Sequence, residues 1–231
     1  QKRIKEKKSK GIGLSIRSQL ILGFLIPVLL VIAVGTFAYK KAEEGMLKNY
    51  EDSAQTALQM TVKLLDYGFQ TVDTDSIQIF SDTNVIDYVS NTYKNDIPSK
   101  SNVPTHAVNL ISSKKNSNEF IHDIIIVVSD DLDDVATSTG KGSKEGYYER
   151  FMAESKSILD ADDKADRWAD EHPVLDERFH TSTDNYIMAQ YRMVSTKNAC
   201  VIIDISKEKI KSILEDLNLG EGSIISFVTK D

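Results

Sequence analysis

The sequence predicts an α+β protein that begins with a transmembrane helix and continues into a long second helical stretch. Three observations predict it. Residues Leu20 to Tyr39 form an apolar run without a charge; residues 40–80 carry a helical rhythm with few breakers; and two strand-like runs, "YIMAQYRMVS" and "ACVIIDIS", flank the turn-forming "TKN".

Taken in order, residues 1–17 form a basic tail. Lys2, Arg3, Lys5, Lys7, Lys8, Lys10 and Arg17 stand against the single acid Glu6. Residues 18–39 form the span, since about 20 apolar residues in a helix match the hydrocarbon thickness of a bilayer. Pro27, Gly23 and Gly35 do not argue against it, because lipid offers the backbone no other hydrogen-bond partner. Short basic flanks stay on the cytoplasmic side, so the rest of the chain is expected outside. A cleaved signal peptide has a shorter apolar region ending in small residues, whereas this run ends with the large Phe37 and Tyr39.

Removing the tail's seven basic residues and one acid from the totals of 28 and 35 leaves 21 against 34, an exterior of −13. That charge suits neither nucleic acid nor anionic lipid. Cys200 is the only cysteine, so no internal disulfide forms and a conventional core is required. The chain opens on Gln1 and stops just after "GSIISFVTKD", from which a fragment of a longer protein is expected.

Residues 40–95 read as a stalk helix with two stripes. Leu47, Ala54 and Thr61, interleaved with Tyr50, Ala57 and Leu64, form one; Leu58, Val62, Leu65, Phe69 and Val72 form the other. One stripe suits a sister helix and the other its own domain; a single amphipathic helix lying on a core fits the periodicity equally well. From Asp96 to Asn118, two prolines and many Ser, Asn and Lys residues predict a connector holding a short "HAVNLI" helix.

Ile121 to Val128 is β-branched and reads as a strand, with Asp130, Asp131, Asp133 and Asp134 marking a turn before a second one. "YYERFMAESKSIL" is helical, "KEKIKSILEDLNLGEG" a helix closed by Gly220, and Ser223 to Val228 the start of another strand.

No catalytic constellation emerges, and the chain is read as a non-enzyme with no cofactor. Asp160, Asp162, Asp166 and Glu171 match positions of a calcium loop, but Lys164 and Ala165 occupy a ligand position and the turn glycine's place. His172, Asp176, Glu177 and His180 are zinc-ligand types at unsuitable intervals. "TGKGSKEG" lacks the spacing of a phosphate loop. Nothing surrounds the lone cysteine that would make it a nucleophile.

The order of parts (basic tail, signal-anchor helix, long helix, "IHDIIIVVSDD", a Trp region, "YIMAQYRMVS", "ACVIIDIS", a helix, "GSIISFVTKD") resembles the double Cache (dCache) sensor half of bacterial methyl-accepting chemotaxis proteins. Histidine kinases and diguanylate cyclases carry similar sensor halves. The resemblance implies a PAS-like membrane-distal module over residues 96–206, with 207–231 supplying the linking helix and the first strand of a truncated membrane-proximal module. It implies a ligand site of Arg167, Trp168, Tyr186, Arg192 and Asp204. Asp204 matches the acid of the family's "GVDI" strand within Val201 to Ile205, while the Arg-x-Trp-Tyr motif of amino-acid binders is broken by Asp166 and Ala169. Each has a plainer reading: Trp168 as a core aromatic, Asp204 as a cap for the next helix, Arg192 as a surface residue. Along this strand Tyr186, Met188, Gln190 and Arg192 alternate with Ile187, Ala189, Tyr191 and Met193, so only one set faces a pocket.

The expected partners are a small-molecule ligand or a ligand-loaded binding protein, the membrane, a second copy in a homodimer, and a cytoplasmic chemotaxis kinase with its coupling protein. No nucleic acid is expected. A membrane-anchored structural or adhesive module is the alternative class.

Overall fold

A computed structural model describes residues 15–90, 92, 97–129, 135–136, 147–160, 167–193, 199–217, 219 and 223–228, with backbone alone at 97–101 and 135–136. The acidic turn at Asp130 to Asp134, the "TGKGSKEG" loop, Asp162 to Asp166, the "TKN" turn, Gly220 and most of the basic tail lie outside these residues. The chain divides into two compact units, 1–56 and 57–231.

In the first unit the described residues belong to helix α1, Ile16–Ser81. Its apolar segment is long enough to cross a membrane, and none of it is buried by protein. Pro27 sits inside without ending the helix. Thr36 turns its hydroxyl back onto the Ile32 carbonyl at 2.8 Å, so this polar group needs no water.

The second unit is a mixed helical and antiparallel-sheet domain. Within it α1 buries Gly68, Val72, Ser76 and Ile79, one residue per turn along a single face. Leu65 and Phe69 pack beside them, whereas Leu58 and Val62 stay exposed, so only the later half of the second stripe meets the core. Leu47, Tyr50 and Leu64 of the other stripe are exposed too. Gly68 is a close approach: a Cβ there would run into the edge of the Phe120 ring.

The stalk is not one helix to residue 95. Asp82, in extended geometry, accepts from the Asn84 and Val85 amides at 2.8 and 3.3 Å and starts a separate helix α2, Thr83–Val89. The expected connector is also different. Helix α3 covers Ile97–Ser117 with Pro104 inside it. Ala107 and Ile111 are fully buried, and Val103 and Leu110 pack with them. This stripe at helical spacing outweighs the loop-like composition of the other face.

Five strands form the sheet: β1 (Ile121–Val128), β2 (Val135–Ala136), β3 (Trp168–Ala169), β4 (Tyr186–Met193) and β5 (Ala199–Ser206), in the order β2-β1-β5-β4-β3. All pairings are antiparallel. The central β1 and β5 are buried on both sides, which is why they read as unbroken runs of Ile and Val.

One face packs against α1, α2, α3 and α7 (Lys207–Glu215) through Ile124, Ile126, Val201 and Ile203. The other packs against α4 (Tyr147–Glu154), α5 (Lys156–Leu159) and α6 (Pro173–Phe179) through Ile125, Val127, Cys200 and Ile202. Helix α7 ends at Glu215, before the glycine expected to close it. Ser223 to Val228 is not a strand; no strand edge among the described residues pairs with it, and only Ile225 and Phe227 are partly covered.

Candidate functional site

Two irregularities shape the end of the sheet. Between Ile121 and Asp123, and again between Tyr186 and Ala189, the strand beside β5 uses one residue more than β5 does. Such bulges re-aim side chains. They flank the same stretch of β5, Asp204 to Ser206.

Their effect corrects the alternation read from sequence. Tyr186 does not share a face with Gln190 and Arg192. It turns to the α6 side, where Ala189, Tyr191 and Met193 also lie, while Met188 joins Ile187 on the α1 side. The five residues expected to form one ligand site are therefore split between two faces.

On the α6 side, Tyr186 and Asp204 come together around His172. The His172 ring is fully buried with Nε2 2.7 Å from Asp204 Oδ1 and Nδ1 3.2 Å from Asp176 Oδ1. Tyr186 stacks on it, centroids 4.5 Å apart, and donates its hydroxyl to Asp176 Oδ2 at 2.8 Å. Asp123 lies across from Asp204 in the β1–β5 register, also fully buried, its Oδ1 accepting from the Ile124 amide. Glu154 of α4 accepts from the Val174 amide at 3.1 Å and so secures the start of α6. Asp204 is not a cap; Ser206 takes that role by accepting from the Lys209 amide.

Burial pushes the Asp204 carboxyl up, against the opposing effect of its bond to His172. For His172, burial alone works against the charged ring, but the hydrogen bond to Asp204 and the charges of Asp204 and Asp176 outweigh it, and the net displacement is upward. Burial, then the bond to Asp176, pushes the Tyr186 phenol far above its ordinary value, so it remains a donor. Burial pushes the Cys200 thiol up to about 12, which leaves no thiolate for nucleophilic chemistry.

Asp204 Oδ2 and Arg167 Nε are among the buried polar atoms that carry no hydrogen bond among the described residues. Arg167 precedes β3, and its carbonyl accepts from the Tyr191 amide at 2.9 Å.

On the α1 side, Trp168 and Arg192 grip a helix. Trp168 meets Phe69 edge to face at 5.8 Å. Arg192 donates through Nε to Ser76 Oγ at 2.8 Å and pairs with Asp73; Gln190 donates to the same Asp73 at 2.9 Å. Trp168 is thus partly a packing residue, and Arg192 is held against α1 where its plainer reading left it free on the surface.

Sequence reasoning missed His172 and Asp176 as members of this cluster, having weighed them only as zinc ligands with His180. His180 stands exposed in left-handed geometry at the end of α6 and does not join them. A histidine just before a helix-starting proline, with an acid four residues on, was the one local signal. No family model, no curated protein and no solved structure matches the chain.

Proposed function

We propose that this chain is the extracellular ligand-sensing region of a transmembrane chemoreceptor, with a dCache-like domain after a signal-anchor helix. The observation that carries the reading is that β4 serves both faces. Tyr186 stacks on His172 of the buried His172–Asp204 cluster and Tyr191 lies on the same face, while Gln190 and Arg192 hold Asp73 and Ser76 of α1, the helix whose other end carries the apolar segment.

A small molecule on the α6 side would complete the hydrogen bonds that Asp204 Oδ2 and Arg167 Nε lack. Buried polar groups left unpaired are costly, so a ligand that pairs them favours one arrangement of the domain. Any shift of β4 passes to α1 through the Asp73 contacts. The cytoplasmic partner in this reading is a chemotaxis kinase with its coupling protein, and the receptor is a homodimer.

A thermal-shift screen of the full chain in detergent, against amino acids, organic acids, amines and sugars, tests it. At 100 times its dissociation constant a ligand adds about 2.7 kcal/mol, a shift of several degrees. A hit that disappears in Asp204→Ala supports the site. The absence of any hit across these classes, with the protein folded, overturns the small-molecule reading.

A further inference from the structure

The ring of His172 is closed off from water, yet each of its nitrogens faces a carboxylate, on β5 at Asp204 and on α6 at Asp176. The Nε2 contact is a hydrogen bond and needs a proton, because an ionised carboxylate only accepts; the Nδ1 contact is an ion-pair distance, and a negative oxygen at 3.2 Å favours a proton on Nδ1 as well. An imidazolium supplies both. A neutral ring beside a protonated Asp204 supplies the same two. Remove one proton from this pair, and the ring, itself sealed from water, turns a lone pair toward Asp176 or toward Asp204.

Thr181 donates to the same Asp176 oxygen, but no neighbour among the described residues supplies a proton to the ring itself. The Tyr186 hydroxyl, from β4, lies 3.5 Å from Nδ1 but already gives its single hydrogen to Asp176. Glu154, from α4, accepts from the Val174 amide and brings a further negative charge toward the ring. Asp123, from β1, repels charge on Asp204, and His122 beside it acts in the opposite sense.

We propose that His172 and Asp204 hold one exchangeable proton that clasps α6 to β5, and that its release lets α6 part from the sheet, making the domain a sensor of acidity as well as of any small ligand. On release, the proton passes to the solvent that reaches the cluster beside the partly exposed Asp176. The cluster then carries one more negative charge among groups that already repel. The upward displacement of both His172 and Asp204 agrees with a proton held tightly in the closed state. The proposal rests on the sensory reading only for what the opening reports; the clasp itself lies within the second unit.

The test uses the full chain in phosphatidylcholine nanodiscs, with ¹⁵N-labelled histidine and ¹³C-labelled aspartate. Four histidines give few signals, and His172→Gln assigns the one in question. At pH 5.5 the expected result is either a doubly protonated His172 ring or a protonated Asp204 carboxyl. Between pH 5.5 and 9.5 that proton should leave, and exchange of the α6 amides, corrected for intrinsic rates, should rise at least tenfold across the same interval. In His172→Gln the corrected α6 exchange should not change with pH. A neutral ring beside an ionised Asp204 at pH 5.5 would overturn the proposal, as would α6 exchange independent of pH in the native chain. If His172→Gln does not fold, assignment through Asp176→Asn and the native measurements still decide. A failed ligand screen alters neither readout, so the two ideas fail separately.

Discussion

Arg192 Nε on β4 donates to Ser76 Oγ on α1 at 2.8 Å, and the same guanidinium pairs with Asp73 three residues earlier on that helix. Ser76 is buried and Arg192 mostly so, while Asp73 is half exposed, so the joint between sheet and helix rests more on the Ser76 bond than on the ion pair. Arg192→Ala leaves Ser76 and Asp73 with fewer partners and should lower stability by about 1–3 kcal/mol. Arg192→Lys keeps the charge but not the fork, and should recover less than half of the loss. Urea unfolding of both variants checks this; equal stability of Arg192→Ala and native chain would show that the joint contributes nothing.

Gly68 faces the Phe120 ring so closely that any Cβ forces one of them to move. Gly68→Ala should therefore destabilise the domain by about 1–3 kcal/mol despite the better helix propensity of alanine. Phe120→Leu in the same chain removes the ring edge and should restore tolerance of the alanine, read as a non-additive double-mutant cycle.

The Asp82 carboxylate accepts two amides at the start of α2. Asp82→Ala should cost about 1 kcal/mol, and Asp82→Asn, which keeps an accepting oxygen, much less. Equal losses for the two would mean that charge at this helix start matters more than the bonds.

Stability should fall as pH rises. His172 is displaced upward from its ordinary 6.5, so the stability contributed by its protonated form is complete below that value and is lost as pH climbs through the folded-state value. Asp204 is displaced upward as well, so the folded chain keeps a proton that the unfolded chain has released, and the slope has the same sign. While one proton is retained on folding, each pH unit costs about 1.4 kcal/mol. Denaturant midpoints at pH 5.5 and 8.5 should differ in the native chain and converge in His172→Gln. A native midpoint that rises with pH would contradict the upward displacement.

The apolar segment of α1 should partition into membrane. Leu29→Lys places a charge near its middle, where the change from Leu to Lys costs about 3–4 kcal/mol. Carbonate-washed membranes should retain the native chain and lose a large share of the variant. Unchanged retention would point to anchoring by some other part of the chain.

The presence of an apolar helical segment and the positions of β1, β4 and β5 were legible along the sequence because each depends on neighbours in the chain. A run of Ile and Val between turn residues has few other structures open to it, and Ile121 to Val128 is a strand where its composition says so. The connector failed that logic. Ser, Asn and Lys dominate Ile97–Ser117 by count, but Val103, Ala107, Leu110 and Ile111 decide its structure by burying one side. The site was harder still. His172 and Asp204 are 32 residues apart and meet only because β5 lies between β1 and β4 with α6 laid over it. Tyr186 joins them because one extra residue in β4 rotates it off the face that strict alternation assigns. Composition and period report what each segment prefers alone. A bulge, a cross-strand register and a buried contact between His172 and Asp204 exist only after those segments have packed, and these decided which residues form the cluster.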